Sequence, residues 1–404
     1  MSVTVEHLSR ATKRLREHPH DQGAWLELAA IHHALGNTDD AELAFATIGE
    51  GARVGGQVAL AVACGRHLAE LGSVRGPELI DHVVETYAKD GSHVPAKDSH
   101  AAPAPPEQTP SLAEGKGSAV EQAREVVATL GAWLTARKVA NIPSAPLLSA
   151  LSKAGARALI GVMTARAFPS GTVVIDVGQP ATALYWLAHG TLSVERAGAE
   201  LAELHTGALF GEIALVGGTK RTAKVTARED VWVLEIPARA VETAAQKHPM
   251  LAHVLAHHAR TRLLANLMRT SELFRALDAD DRDALLARFE IELVPAGQTF
   301  IEEGKDNSHL WVLVSGKCQV QSAGAPLAEL GPGAAVGEIS LVSGTTAVAS
   351  VSAIEPAVLL RLSKFDFAKV AKRHPKLLEE VEKLVVARET ANRALFQDAA
   401  DLIV

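Results

Sequence analysis

The segment Gly211 to Ala223, GEIALVGGTKRTA, returns 126 positions later as Gly337 to Ala349, GEISLVSGTTAVA. The register holds without a gap well beyond it. Pro169 falls opposite Pro295, Gly171 opposite Gly297, Gly178 opposite Gly304, Leu184 opposite Leu310 and Gly190 opposite Gly316. His248-Pro249 meets His374-Pro375, and upstream Leu147 to Leu151 meets Leu273 to Leu277. Self-similarity at a fixed offset signals a duplicated domain, and this period is far longer than that of a solenoid repeat, so each copy carries its own core. One position breaks the symmetry: Arg221 stands against Ala347, so only one copy holds a cation there.

Two such modules do not account for all 404 residues, a length that suits about three domains of ~150 residues. Residues 1–88 show helical patterning. Pro19, Trp25, Leu28, Gly36, Ala41 and Phe45 follow tetratricopeptide-repeat spacing, with Ala29 where glycine is usual and His32 where an aromatic is usual. A second unit around Gly65 and Gly72 is weaker, because Pro77 falls where a small packing residue belongs. The zone resembles a helical-repeat region of about two units, with an unrelated helical bundle as the alternative. Residues 89–118 hold Pro95, Pro103, Pro105, Pro106 and Pro110 among Ala, Ser, Gly and Lys, a composition that buries too little to offset its ordering entropy and is expected to be a flexible linker. Ser118 and Glu121 form a capping box that starts a helix from Ala119, expected to lead into the first large module, residues 119–270. The second module is residues 271–404.

Each module reads helix, short strands, helix. Phe168-Pro169-Ser170-Gly171 opens TVVID, Gly178-Gln179-Pro180 turns it, and Leu184 to Leu187 and Thr191 to Glu195 follow around Gly190. Brief aliphatic and β-branched runs punctuated by Gly and Pro predict a β-roll rather than a parallel sheet. From Ala238 through Arg269 the pattern is helical and runs almost into the second copy. The fold class expected is α+β multidomain: an N-terminal helical repeat region, then two tandem jelly-roll-like β-roll domains with flanking helices.

The repeated segment carries the chemistry. Leu209-Phe210-Gly211-Glu212 ends a strand and opens a short helix whose first N–H groups lack intrahelical partners and favour an anion. Gly211 permits close approach of a ligand to the backbone. Glu212 can accept hydroxyl hydrogen bonds, and Arg221 offers a forked donor pair to a phosphate. Together they suit a ligand with a phosphate and a sugar hydroxyl.

This cassette resembles that of the cyclic nucleotide-binding domain family, and the resemblance covers residues 140 to 404 as two tandem domains. It implies that Glu212 binds the ribose 2′-hydroxyl, that Arg221 pairs with the cyclic phosphate, that Gly211 lies against the ribose, and that backbone N–H groups at Ala214 and Thr222 complete the cradle. The candidate ligand-binding set is Gly211, Glu212, Ile213, Ala214, Arg221 and Thr222. Lys220 replaces a proline common before the arginine. Thr222 resembles members that bind cyclic GMP, yet cyclic AMP binders also accept a hydroxyl there, and the base stays open. The second cassette keeps Gly337 and Glu338 but has Ala347 for the arginine, and is expected to be degenerate, kept for packing or coupling. A different ligand, or a cation from elsewhere such as Lys305, is the alternative.

Other readings are excluded or set aside. The net charge of −7 argues against nucleic acid or an anionic membrane as the main partner. Cys64 and Cys318 are expected to be free buried thiols in a reducing compartment. No apolar run at the amino terminus suits a signal peptide and none approaches ~18 residues, so a cytoplasmic address without membrane insertion is expected. His253, His257 and His258 have metal-like spacing but no fixed acidic or thiol companion, and read as solvated. With no P-loop, nucleophile elbow or kinase signature, neither an enzyme nor a cofactor is expected. The stretch after His374-Pro375 reads as one amphipathic helix with Leu377, Val381, Leu384, Val385 and Leu395, too short for a winged helix-turn-helix. The linker lacks the arginines of a pseudosubstrate. What remains is a cytoplasmic cyclic nucleotide sensor whose helical repeats, free on their spacer, recruit a protein partner. A ligand-free scaffold is the alternative.

Overall fold

The computed structural model describes residues 4–91, 110, 112, 115–135, 145–196, 198–212, 220–256, 288–373 and scattered helical positions from 378 to 390. Most of the proline-rich linker lies outside them. Contacts divide the chain into two units, Met1–Asp176 with Thr182–Glu212 and Ala223–Leu255, and Val177–Ala181 with Ile213–Thr222 and Ala256–Val404.

The first unit begins with helices α1 (Val5–Glu17), α2 (Gln22–Ala34), α3 (Thr38–Val54), α4 (Val58–Glu70) and α5 (Arg75–Tyr87), each packed on the one before it. Asp21 caps α2 by accepting from the Ala24 N–H. Trp25, Leu28, Ala41 and Phe45, the positions whose spacing suggested paired helices, are all fully buried, and the Trp25 indole donates to the Pro19 carbonyl at 3.2 Å. Helices α4 and α5 cross with backbones almost touching, since a Cβ on Gly76 would stand 2.4 Å from the Ala69 nitrogen. Pro77 sits harmlessly in the first turn of α5, where no intrahelical N–H bond is lost.

Helix α6 (Ala119–Thr135) starts at the expected capping box, with the Ser118 N–H donating to the Glu121 carboxylate and the Glu121 N–H to the Ser118 hydroxyl. Its packing differs from the expectation that it leads into the β-roll. Its buried face (Ala123, Val126, Val127, Leu130) lies on α1 and α3. Arg124 grips the buried Asp40 carboxylate of α3 with two hydrogen bonds of 2.6 and 2.8 Å. A capping box fixes where a helix begins; the apolar face decides what it joins.

The first β-roll has eight strands: β1 (Thr164–Phe168), β2 (Val173–Ile175), β3 (Ala183–His189), β4 (Thr191–Arg196), β5 (Ala199–His205), β6 (Leu209–Phe210), β7 (Lys224–Ala227) and β8 (Val231–Pro237). They form two antiparallel sheets in the orders β1-β8-β3-β6 and β2-β7-β4-β5 around a core containing Leu187, Leu192, Phe210, Val225 and Val233. Helix α7 (Pro146–Ser149) and α8 (Lys153–Gly161) precede the roll and α9 (Ala238–Lys247) follows it.

The helical array is not free of this roll, which corrects the picture of repeats held only by a spacer. Helix α4 lies across β1, β3 and β8. The Arg66 guanidinium donates to the Met163 carbonyl at 2.7 Å, and the Trp232 ring of β8 meets Phe45 and His67 at centroid distances of 5.8 and 5.1 Å. The end of α5 is tied to α7 and α8, with the Lys89 N–H donating to the Leu151 carbonyl and the Ser149 hydroxyl to the Tyr87 carbonyl. The expected continuous helix from Ala238 through Arg269 is also interrupted. Helix α9 stops at Lys247, because Pro249 has no N–H to donate and disfavours helical geometry at His248. Residues 249–256 are helical again, and 257–287 lie outside the described residues.

Burial in this unit makes a prediction about acid. Burial lowers the pKa of His32, His67 and His189 below the ordinary value; Asp40 opposes it at His32, and Glu229 and Asp21 oppose it at His189. The unfolded chain takes up these protons near pH 6.5 while the folded chain does not, so stability is fully present above that pH and falls as pH drops through and below it. Urea unfolding at pH 7.5 and 5.5 should give a lower midpoint at 5.5, above the range where carboxylates titrate. An unchanged midpoint would mean these imidazoles charge freely in the fold.

The second unit contains β9 (Glu290–Val294), β10 (Thr299–Ile301), β11 (His309–Ser315), β12 (Cys318–Ser322), β13 (Ala325–Leu330), β14 (Ala335–Val336), β15 (Ser350–Ala353) and β16 (Ala357–Ser363). Their sheet orders, β9-β16-β11-β14 and β10-β15-β12-β13, repeat those of the first roll strand for strand. The duplication reaches individual bonds: Gly171 N–H to Ala227 carbonyl (2.8 Å) becomes Gly297 to Ala353 (2.7 Å), and Gly207 to Leu187 becomes Gly333 to Leu313, 2.7 Å in both. Helix α10 (Glu338–Ser343) lies in the cassette and α11 (Lys364–Arg373) follows the roll. Val381 and Val385 of the expected terminal helix are buried in this core, while Leu377, Leu384 and Leu395 lie outside the described residues.

Both cysteines are free and buried, and burial raises both thiol pKa values, that of Cys318 to about 11, which keeps them unreactive. Among the described residues no helix is long and apolar enough to cross a membrane.

Candidate ligand-binding cassettes

The second cassette is described throughout. Strand β14 ends at Val336, Gly337 turns with φ +86° and ψ 0°, and α10 starts at Glu338. Only glycine fits the turn, since a Cβ would lie 2.5 Å from both the His309 carbonyl oxygen and the Asn307 side-chain nitrogen. Asn307 holds the turn: its amide donates to the His309 carbonyl at 2.7 Å and to the Gly337 carbonyl at 3.3 Å, and its oxygen accepts from the Trp311 indole at 3.3 Å. The Glu338 side chain is 1% exposed. Ala347 donates its N–H to the Lys305 carbonyl and accepts from the Gly304 N–H, both at 2.8 Å. A cavity of about 210 Å³ opens between them, walled by Ile301, Val320, Leu330, Val336, Ala347 and Val351, with Glu338 at its edge. Lys305, the alternative cation, is turned outward, 69% exposed and paired with Glu302.

The first cassette is built on the same frame. Strand β6 ends at Phe210, which stacks on Tyr185, and Gly211 turns with the same φ of +86°. Glu212 is 2% exposed. Arg221 repeats the clamp of Ala347, accepting from the Gly178 N–H and donating to the Gln179 carbonyl, both at 2.9 Å. Its side chain is 5% exposed, and a guanidinium is buried this far only where the surroundings compensate its charge. Thr222 is half-buried. Ile213 and Ala214 lie in 213–219, outside the described residues.

Sequence reasoning therefore named the turn glycines, the carboxylates and the position of the cation. It passed over Asn307, whose counterpart in the first copy is Ala181 and which no repeat comparison singles out. It also passed over the pairing of Arg221 and Ala347 with the turn after the second strand of each roll, although Gly178 and Gly304 marked that turn. His253 is exposed, and among the described residues no cluster of three His, Cys, Asp or Glu side chains can hold a metal. His257 and His258 lie outside those residues.

The pattern of the cyclic nucleotide-binding domain family matches residues 165–248 and 291–374. The two matches are offset by the same 126 positions as the sequence repeat. A cAMP-dependent protein kinase regulatory subunit of Debaryomyces hansenii is 22% identical over 55% of this chain and 48% of that protein. A cGMP-dependent protein kinase 2 of Homo sapiens is 27% identical over 40% of this chain and 20% of that protein. The chain thus spans about half the length of the first relative and less of the second. The regulatory domain of Toxoplasma gondii PKA, solved with cAMP, shares 20% identity over 60% of this chain and 92% of that one at a TM-score of 0.28, too low to bear on the fold.

Proposed function

We propose that this chain is a cyclic nucleotide sensor and not a catalyst: its first module binds cyclic AMP or cyclic GMP, and the bound state is passed to a protein partner through the helical array. The observation that carries this is a buried Arg221 and a buried Glu212, both within a segment matching the cyclic nucleotide-binding domain family, set against Ala347 in an equivalent hydrogen-bond frame. Glu212 takes the ribose 2′-hydroxyl, the Arg221 fork takes the cyclic phosphate, and the Gly211 turn gives the sugar room. Ile213, Ala214 and Thr222 complete the backbone cradle. The second module, lacking the cation, does not bind a phosphate.

The output route is supported by packing inside the first unit. Helix α9 leaves β8 directly and packs on α8, where the His248 ring lies so near Gly155 that a Cβ there would meet it at 2.6 Å. Helix α8 in turn packs on α5, with Arg157 paired to Asp81 at 2.8 Å. A shift of α9 on ligand binding therefore reaches the array that displays the partner surface. A ligand moves such an equilibrium only if it binds the two states with different affinity.

Two measurements check this reading. Equilibrium dialysis should count one nucleotide per chain at micromolar concentration; two comparable sites would show that Ala347 does not silence the second cassette. Hydrogen exchange should change with nucleotide in Gly211 to Ala223 and also in 238–256 and α5. A change confined to the cassette would reduce the protein to a binder without output, and no change anywhere would favour the scaffold.

A further inference from the structure

We propose that α6 is a built-in occupant of a helix-binding groove on the array, and that the protein partner presents an arginine-bearing amphipathic helix that takes its place. The proposal rests on the reading of the array as the partner-binding part of the chain and supplies the partner's chemistry; it does not depend on a nucleotide. Helix α6 stands outside the succession that builds the array. Helices α1 to α5 each pack on the helix before them, whereas α6 follows the proline-rich segment and lies back across α1 and α3. What it presents there is the pattern of a helix bound in a groove. Ala123, Val126, Val127, Leu130 and Leu134 are buried at intervals of three and four, while Glu121 and Glu125 on the far side are exposed.

The groove is selective for what fills it. Helices α3 and α6 approach closely, since a Cβ on Gly131 would stand 2.8 Å from Thr47 Cγ2 and one on Gly51 3.1 Å from Leu134 Cβ. Asp40 lies in the groove at 8% exposure and accepts from Arg124 at 2.6 and 2.8 Å, with His32 Nδ1 behind it at 3.9 Å. Asp39 adds to the pull on the same guanidinium. A buried carboxylate is costly without a cation, so Asp40 serves less to strengthen the packing than to select a basic occupant over an acidic or neutral one. Small and branched aliphatic side chains on the buried face, with an arginine beside the first of them, therefore describe the partner helix. A tethered α6 competes at roughly millimolar effective concentration, so only a helix that binds better displaces it, and the displaced α6 stays attached. The successive contacts from α1 to α5 do not involve α6 and survive the exchange.

The test uses the full chain without nucleotide, and its probe is a fluorescein-labelled peptide of residues 118–135. Wild type should bind the peptide weakly, because its own α6 holds the groove. A chain carrying Arg124→Ala, which loosens the resident helix and leaves Asp40 in place, should bind it roughly 10- to 100-fold more tightly, the effect of a hydrogen bond to a charged group. That gain should vanish when the peptide's own arginine is changed to alanine, or when Asp40→Asn is added to the chain, with circular dichroism confirming that both variants fold. Hydrogen exchange of the wild-type chain needs no variant, and should show α6 amides opening at lower cost than those of α3. Equal protection of α6 and α3, no peptide binding to the Arg124→Ala chain, or binding indifferent to the peptide's arginine would each overturn the proposal. Elution of the Arg124→Ala chain as a dimer would give the groove to α6 of a second copy and overturn it equally. None of these readouts involves cyclic nucleotide, so their failure leaves the sensor reading standing.

Discussion

Replacing Arg221 with alanine is expected to weaken cyclic nucleotide binding by about 2–5 kcal/mol, a loss of ~30- to several-thousand-fold. The side chain is 5% exposed, so its attraction to a phosphate is little diluted by water. Because the backbone of residue 221 is clamped to Gly178 and Gln179, the substitution should leave the turn in place and act on the ligand alone. Arg221→Lys should recover part of the loss, since an ammonium restores the charge but not the two-pronged geometry. Fluorescent-nucleotide titration of the three proteins measures the series. An alanine variant within a few-fold of wild type would remove Arg221 from the phosphate site.

The second large effect belongs to Trp232→Ala, at the seam between the helical array and the first roll. The ring is half-buried and packs edge-on against His67 and obliquely against Phe45. Burying a large aromatic contributes about 3–5 kcal/mol when complete, so about 2–4 kcal/mol is expected here. The loss should also change the character of unfolding. While α4 lies on β1, β3 and β8, array and roll share one interface and should melt together; with the ring removed, circular dichroism of the helices and fluorescence of the remaining tryptophans should separate into two transitions. Coincident transitions with stability within ~0.5 kcal/mol of wild type would show that the seam is not held by this residue.

That seam had a signature in the sequence that repeat matching did not use. Helix α4 reads VALAVACGRHLAE and buries every residue from Val58 to Cys64, and a helix apolar on all sides must be covered on all sides. Strand β3, ALYWLAH, likewise shows no in-out alternation, as expected of a strand covered on both faces. Local patterning announces that such faces are covered but not by what. The same limit explains α6, whose start was legible from Ser118 and Glu121 but whose docking on Asp40 joins residues 84 positions apart. The two rolls were legible for the opposite reason. Glycines in the left-handed region, such as Gly211 and Gly337, hold positions no other residue fills, so two copies keep them in register long after the surrounding side chains have drifted. Pro249 was equally visible, yet a long apolar periodicity outweighed it, and the chain broke the helix there.

Calorimetric titration of the intact wild-type chain with cyclic AMP and with cyclic GMP is the most direct test of the account. Saturable binding of at least one of them at micromolar concentration, with one site per chain and loss of the heat in Arg221→Ala, is the predicted result. Absence of binding by both nucleotides, or binding that Arg221→Ala leaves intact, would contradict it.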